Sequence, residues 1–140
     1  MRLLTFLGAL LLLLGCQKYT VDTLPDNRLH FGNSGGFTGE IREYVLLLDS
    51  GRVLFDNKLE GKVEKIGTLK KEKFEAVKAE ISKIDFSRPA PRPANMNTAV
   101  TLYRRGEARQ LQWSGTNAPD EAAGRCFENL MAAVRVMREK

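Results

Sequence analysis

The stretch IREYVLLLDSGRVLF, residues 41–55, decides the fold. Two β-rich runs flank Asp49-Ser50-Gly51, a glycine-containing turn of the length that joins antiparallel strands in a hairpin. Val45, Leu46, Leu47 and Leu48 leave no polar side to the first run, so it belongs inside a sheet, with both faces buried.

Working outward, Leu29 and Phe31 alternate with Arg28 and His30, which predicts a short strand. It runs into GNSGGFTG, residues 32–39, where four glycines among eight residues predict a sharp turn or bulge. Downstream, KVEKIGTL predicts another strand that delivers the chain to Thr68 as a helix N-cap. From Lys70, Phe74, Val77, Ile81 and Ile84 recur at three and four residues, with Lys71, Glu75, Lys78 and Ser82 on the opposite side. That is an amphipathic helix. Pro89, Pro91 and Pro93 then forbid helix and predict a stiff extended loop.

Val100 and Leu102 alternate with Thr101 and Tyr103; Arg104-Arg105-Gly106-Glu107 reads as a turn, and Arg109, Leu111 and Trp113 share one face beyond it. These make a second hairpin. Asn117 is the expected N-cap of a last helix, with Pro119 in its first turn and Asp120 and Glu121 facing the positive helix end. Ala123, Phe127, Leu130, Val134 and Met137 supply its apolar stripe. The order predicts an α+β domain over residues 28–140: an antiparallel sheet of two hairpins plus extra strands, with two amphipathic helices packed on one face.

The amino-terminal run from Leu3 to Leu14 has 12 residues, short of the roughly 20 a spanning helix needs. Arg2 before it and Gly15 after it give the order of an export signal. Leu13-Leu14-Gly15-Cys16 resembles the lipobox of bacterial lipoproteins. The resemblance implies a signal peptide over residues 1–15, fatty chains such as palmitate on Cys16, and a polar tether over 16–27. One acyl chain holds only marginally, and two or three on one cysteine hold firmly. The chain has 22 Lys and Arg against 17 Asp and Glu; the first 15 residues hold only Arg2, so the 125 that follow keep a net +4. Such mild basicity suits lipid head groups or acidic glycans. It argues against nucleic acid, since the basic residues show no aromatic interleaving.

Candidate chemistry is sparse. The glycine-rich stretch lacks the Lys-Ser/Thr and following helix of a phosphate loop. His30, the single histidine, lies in no metal-ligand spacing and reads first as a solvated residue, although a pairing with Ser34 or a carboxylate stays open. Asp49, Asp56, Glu60 and Glu64 sit in or beside turns, where acids are common, and form no recognisable catalytic pair. Cys126 has no disulfide partner once Cys16 carries lipid, and burial as a small hydrophobe outweighs a reactive thiol. No catalytic residue, metal site or cofactor is expected. Arg88, Arg92, Arg104 and Arg105, with Phe37 and Trp113, form the candidate binding surface, guanidinium groups being suited to phosphate and carboxylate.

FGNSGGFTGEIREYVLLLDSGRVLF, then PANM and LQWSG, resemble a family of small uncharacterised lipoproteins of diderm bacteria, across roughly Leu29 to Val134. The resemblance implies fold and location and no activity. Gln17 rather than Asp after the cysteine is similar to lipoproteins of the outer membrane, which points to a periplasm-facing anchor. The leading expectation is a membrane-anchored binding or accessory module that touches an anionic envelope polymer or a partner protein. The alternative is a small inhibitor of a host or competitor hydrolase; its basic charge argues against lysozymes, which are themselves basic. Catalysis through His30 or Cys126 is the third.

Overall fold

Six strands form one antiparallel sheet: β1 (Arg28–Gly35), β2 (Ile41–Leu47), β3 (Arg52–Asn57), β4 (Lys62–Thr68), β5 (Met96–Arg104) and β6 (Glu107–Ser114). Their spatial order is β4-β3-β2-β1-β5-β6, so β1 sits between its neighbours β2 and β5. Helix α1 (Lys71–Lys83) connects β4 to β5, and α2 (Glu121–Arg138) follows β6. This computed structural model describes residues 19–36, 41–89, 92, 94–115 and 117–140. The architecture is α+β.

Alternation along β2 shows why its run is apolar throughout. Tyr44 and Leu46 join Leu29, Phe31, Val53, Val100, Leu111 and Trp113 in the main core, where Val77 and Ile81 of α1 and Cys126 and Leu130 of α2 meet them. Val45 and Leu47 point the other way, into a second cluster with Leu54. Arg125 ties the helices together, its guanidinium lying between Glu80, at 3.3 Å, and Glu121. Arg138 at the end of α2 reaches back to the sheet, donating to the Tyr44 hydroxyl at 2.8 Å and lying over the Phe55 ring.

The glycine-rich stretch differs from expectation. The strand does not turn after Phe31; it continues through Gly32, Asn33 and Ser34, paired on both sides as far as Ser34. Glycine here permits close approach of two backbones: a Cβ on Gly32 would lie 1.9 Å from the Arg42 carbonyl oxygen. Positive φ begins at Gly35, still paired with Met96, at +100°, and continues at Gly36, at +86°. Phe37 lies outside the described residues.

The helix starts also move. Thr68 ends β4 and Lys70 occupies the N-cap of α1, because Leu69 between them is drawn into the core. For α2 the N-cap is Asp120 rather than Asn117; its Oδ1 accepts the Ala123 N–H at 2.9 Å.

Residues 19–27 are not a free tether. Tyr19 and Leu24 pack on Val45, Leu47 and Leu54 across the sheet face away from the helices. A short 3-10 turn, Val21–Thr23, closes on Thr20 through a reciprocal capping box, and the Arg28 guanidinium donates to the Pro25 carbonyl at 2.9 Å. The hydrophobic effect fixes this segment: three apolar side chains of β2 and β3 would otherwise face water.

Gly32→Ala forces backbone against backbone at the sheet's centre. It is expected to lower stability by about 2 kcal/mol or more, measured by urea denaturation with an unchanged m-value.

Candidate functional site

The sheet face opposite the helices falls into two halves. Cross-strand pairing sets Gln110, Thr101, His30, Val45 and Leu54 in one row, and Gln112, Ala99, Gly32, Glu43 and Asp56 in the next. The β2–β4 half is apolar and carries the amino-terminal segment. The β1–β5–β6 half has no such cover among the described residues. It holds a concavity of about 300 Å³ floored by Gly32 and Ala99 and walled by His30, Glu43, Thr101, Gln110 and Gln112, with Ser34 and Ile41 at one side.

A chain of polar contacts runs across the seam between the halves. Glu43 and Asp56 are directly opposed on β2 and β3, which is repulsive for two carboxylates. Lys58 answers it, its Nζ lying 2.5 Å from Asp56 Oδ2 and 3.7 Å from Glu43 Oε2. Asp56 is 0% exposed and neither oxygen meets hydrogen-bond geometry, so its link to Lys58 is Coulombic. The other Glu43 oxygen pairs with His30 Nδ1. His30 Nε2 accepts from Arg28 Nε at 2.9 Å, which assigns the proton of the neutral ring to Nδ1. Arg28 in turn stacks on the Tyr103 ring, 4.0 Å from its centroid.

These contacts set the charges. The His30 hydrogen bond holds the Glu43 carboxyl below the ordinary carboxylate value, against the effect of burial, and Lys58 adds to it. Burial opposes the Lys58 ammonium, but its contacts with Asp56 and Glu43 prevail and hold its pKa above the ordinary 10.5.

His30 is therefore not the solvated residue expected: it is 8% exposed, with both ring nitrogens engaged. Asp56, beside the β3–β4 turn as expected, is a fully buried residue of β3. Cys126 is fully buried, its thiol pushed up to about 12 chiefly by burial and further by Glu80, so it stays protonated at neutral pH.

The structure gathers only part of the expected surface. Arg104 and Arg105, with Arg109 and Glu107, line a shallow hollow of about 450 Å³ at the β5–β6 turn. Arg104 Nε donates to Asn27 Oδ1 at 3.2 Å, and the turn is held by Asp26, which accepts the Gly106 N–H. Arg88 is exposed on a separate loop, 3.7 Å from Asp85, and Arg92 is exposed beyond it. Trp113 is a core residue, 4% exposed and edge-on to Phe127, so it offers no surface. Sequence reasoning missed Arg28, Glu43, Gln110 and Gln112. Strand parity was the available signal, since Arg28, His30 and Gly32 must share a face.

No family model matches the chain, and no curated protein matches it. Among the described residues, no group of three or more His, Cys, Asp or Glu is placed to hold a metal, and no helix is long and apolar enough to cross a membrane.

Linkage gives the pH dependence. Glu43, lowered in the fold, contributes stability that is full above its unfolded value near 4.5 and lost as pH falls through the folded value. Lys58, raised, contributes stability that is full below 10.5 and lost as pH rises through its folded value. His30→Ala is expected to move the onset of acid unfolding to higher pH, followed by circular dichroism. Lys58→Met strands the buried Asp56 charge and should cost about 3 kcal/mol at neutral pH in urea denaturation, most of it recovered by adding Asp56→Leu.

Proposed function

We propose that this chain is an envelope lipoprotein, anchored through fatty chains on Cys16, whose body is a binding module for a glycan-bearing envelope polymer. The fold it presents is an antiparallel sheet of two hairpins and added strands with both helices on one face, which leaves the other face for recognition. The observation that carries the reading is the uncovered concavity over Gly32 and Ala99. Its walls offer neutral amides and hydroxyls from Gln110, Gln112, Thr101 and Ser34, the donor and acceptor types that sugar hydroxyl and acetamido groups pair with. The Gln110 amide already donates to Thr101 at 3.1 Å, so its carbonyl is presented to a ligand. Arg104 and Arg105 lie at the end of the same two strands, where phosphate or carboxylate groups of the polymer would find guanidinium partners. The engaged state of His30 and the protonated thiol of Cys126 favour binding over chemistry at this surface.

Location follows from the lipobox-like Leu13–Cys16 and from Gln17, which support an outer-membrane anchor facing the periplasm. Metabolic labelling with palmitate is expected to mark the wild-type protein in the membrane fraction, and Cys16→Ser to lose both label and fractionation. For the site, full-length protein is expected to retain purified lipopolysaccharide or peptidoglycan fragments. Ala99→Trp, which fills the concavity from its floor, is expected to weaken retention at least about tenfold with thermal unfolding little changed. Failure of the wild type to retain either polymer removes the reading.

A further inference from the structure

We infer that the β4 edge of the sheet and the β3–β4 turn rest on the anionic head groups of the bilayer that holds the anchor. The inference builds on the proposed lipid on Cys16. Only Gln17 and Lys18 separate that cysteine from Tyr19, which is packed onto the sheet. Three Cα–Cα steps reach at most about 11 Å. The Tyr19 corner of the body therefore cannot stand away from the membrane.

What lies at that corner suits a membrane surface. A groove of about 580 Å³ begins at Tyr19 and Thr20, runs over Leu54 and Val63, and is edged by Arg52, Lys62 and Lys65, with Glu64 as the acid among its lining. Beside it, Leu59 tips the β3–β4 turn at 97% exposure, between Lys58 and Lys62. Lys58 is held by Asp56 and Glu43, so the interfacial anchor is Leu59 with Lys62 beyond it: the leucine enters the acyl boundary while the Lys62 ammonium stays at phosphate level. Among the described residues, Lys62 makes an exposed ion pair of 3.4 Å with Glu60, which phosphate readily replaces. Contact with the bilayer would also cover β4, an edge strand whose outer hydrogen-bonding side is unpaired in the sheet.

The orientation places the polar concavity out of reach of the lipid. At about 4.8 Å per strand, β1, β5 and β6 lie roughly 14 to 24 Å from β4. That exceeds the screening length of about 8 Å at physiological salt, so the concavity faces the periplasm unaffected by head-group charge.

Because the acyl chains dominate partitioning, the test reads depth rather than affinity. Full-length lipidated protein carries an environment-sensitive fluorophore on Leu59→Cys, or on Glu107→Cys at the opposite edge, and buried Cys126 does not compete for the label. It is reconstituted in phosphatidylethanolamine–phosphatidylglycerol vesicles containing a doxyl-lipid quencher. Position 59 is expected to shift to the blue and to be quenched, with position 107 unquenched. Lys62→Glu with Lys65→Glu is expected to abolish the quenching in these vesicles. Protein that floats with vesicles while both positions stay unquenched overturns the orientation and leaves the anchor standing. Protein that does not float overturns both.

Discussion

The backbone contact between Gly32 and Arg42 is the constraint on which the sheet depends. Among the described residues, β1 alone joins the β2–β3–β4 meander to the β5–β6 hairpin. It carries Leu29 and Phe31, both fully buried, into the middle of the helix-covered core. Any side chain at position 32 would separate β1 from β2 at the register point where Glu43 stands opposite, so one absent Cβ maintains both the core and the floor of the concavity. The concavity and the fold share a cause.

The charged chain across the same seam works by a different balance. Directly opposed carboxylates on β2 and β3 would weaken strand pairing, and a buried Asp56 alone would be costly. Lys58 resolves both problems from the turn just beyond β3, and His30 takes the remaining Glu43 oxygen from β1. Arg28 then occupies the far side of the histidine and orders the Pro25 carbonyl of the amino-terminal segment. Polar contacts thus link four chain segments, specifying the register of β1 against β2 where apolar packing alone would tolerate a slip.

Legibility in the sequence followed interaction range. The both-faced apolar run at 45–48 and the three-and-four spacing of Val77 with Ile81 are local signals, and the corresponding elements form. Parity along Arg109, Leu111 and Trp113 also indicated that the tryptophan shares the face of a buried leucine. The glycines after Phe31 misled because their local preference for turns gave way to pairing with strands 10 and some 65 residues away. The burial of Asp56 and His30 was hidden for the same reason: what buries them is a partner on another strand. Tyr19 and Leu24 are spaced by five, a period of neither helix nor strand, so nothing in that segment announced that it docks.

That docking changes what an anchor means for this body. A flexible tether of a dozen residues would let the domain sample every orientation above a membrane. If Cys16 carries the proposed lipid, a segment packed onto Val45, Leu47 and Leu54 from Tyr19 onward leaves only two residues between anchor and sheet, and the free choice of orientation is lost. Under the proposed function, recognition would then gain what preorganisation gives any binding surface: the uncovered half of the sheet would be presented at a set height and direction, with little domain entropy left to lose on binding. On the proposed reading the apolar half of the sheet face would serve as functional cover, since removing Tyr19 or Leu24 would uncover Val45, Leu47 and Leu54 while leaving every residue of the concavity in place.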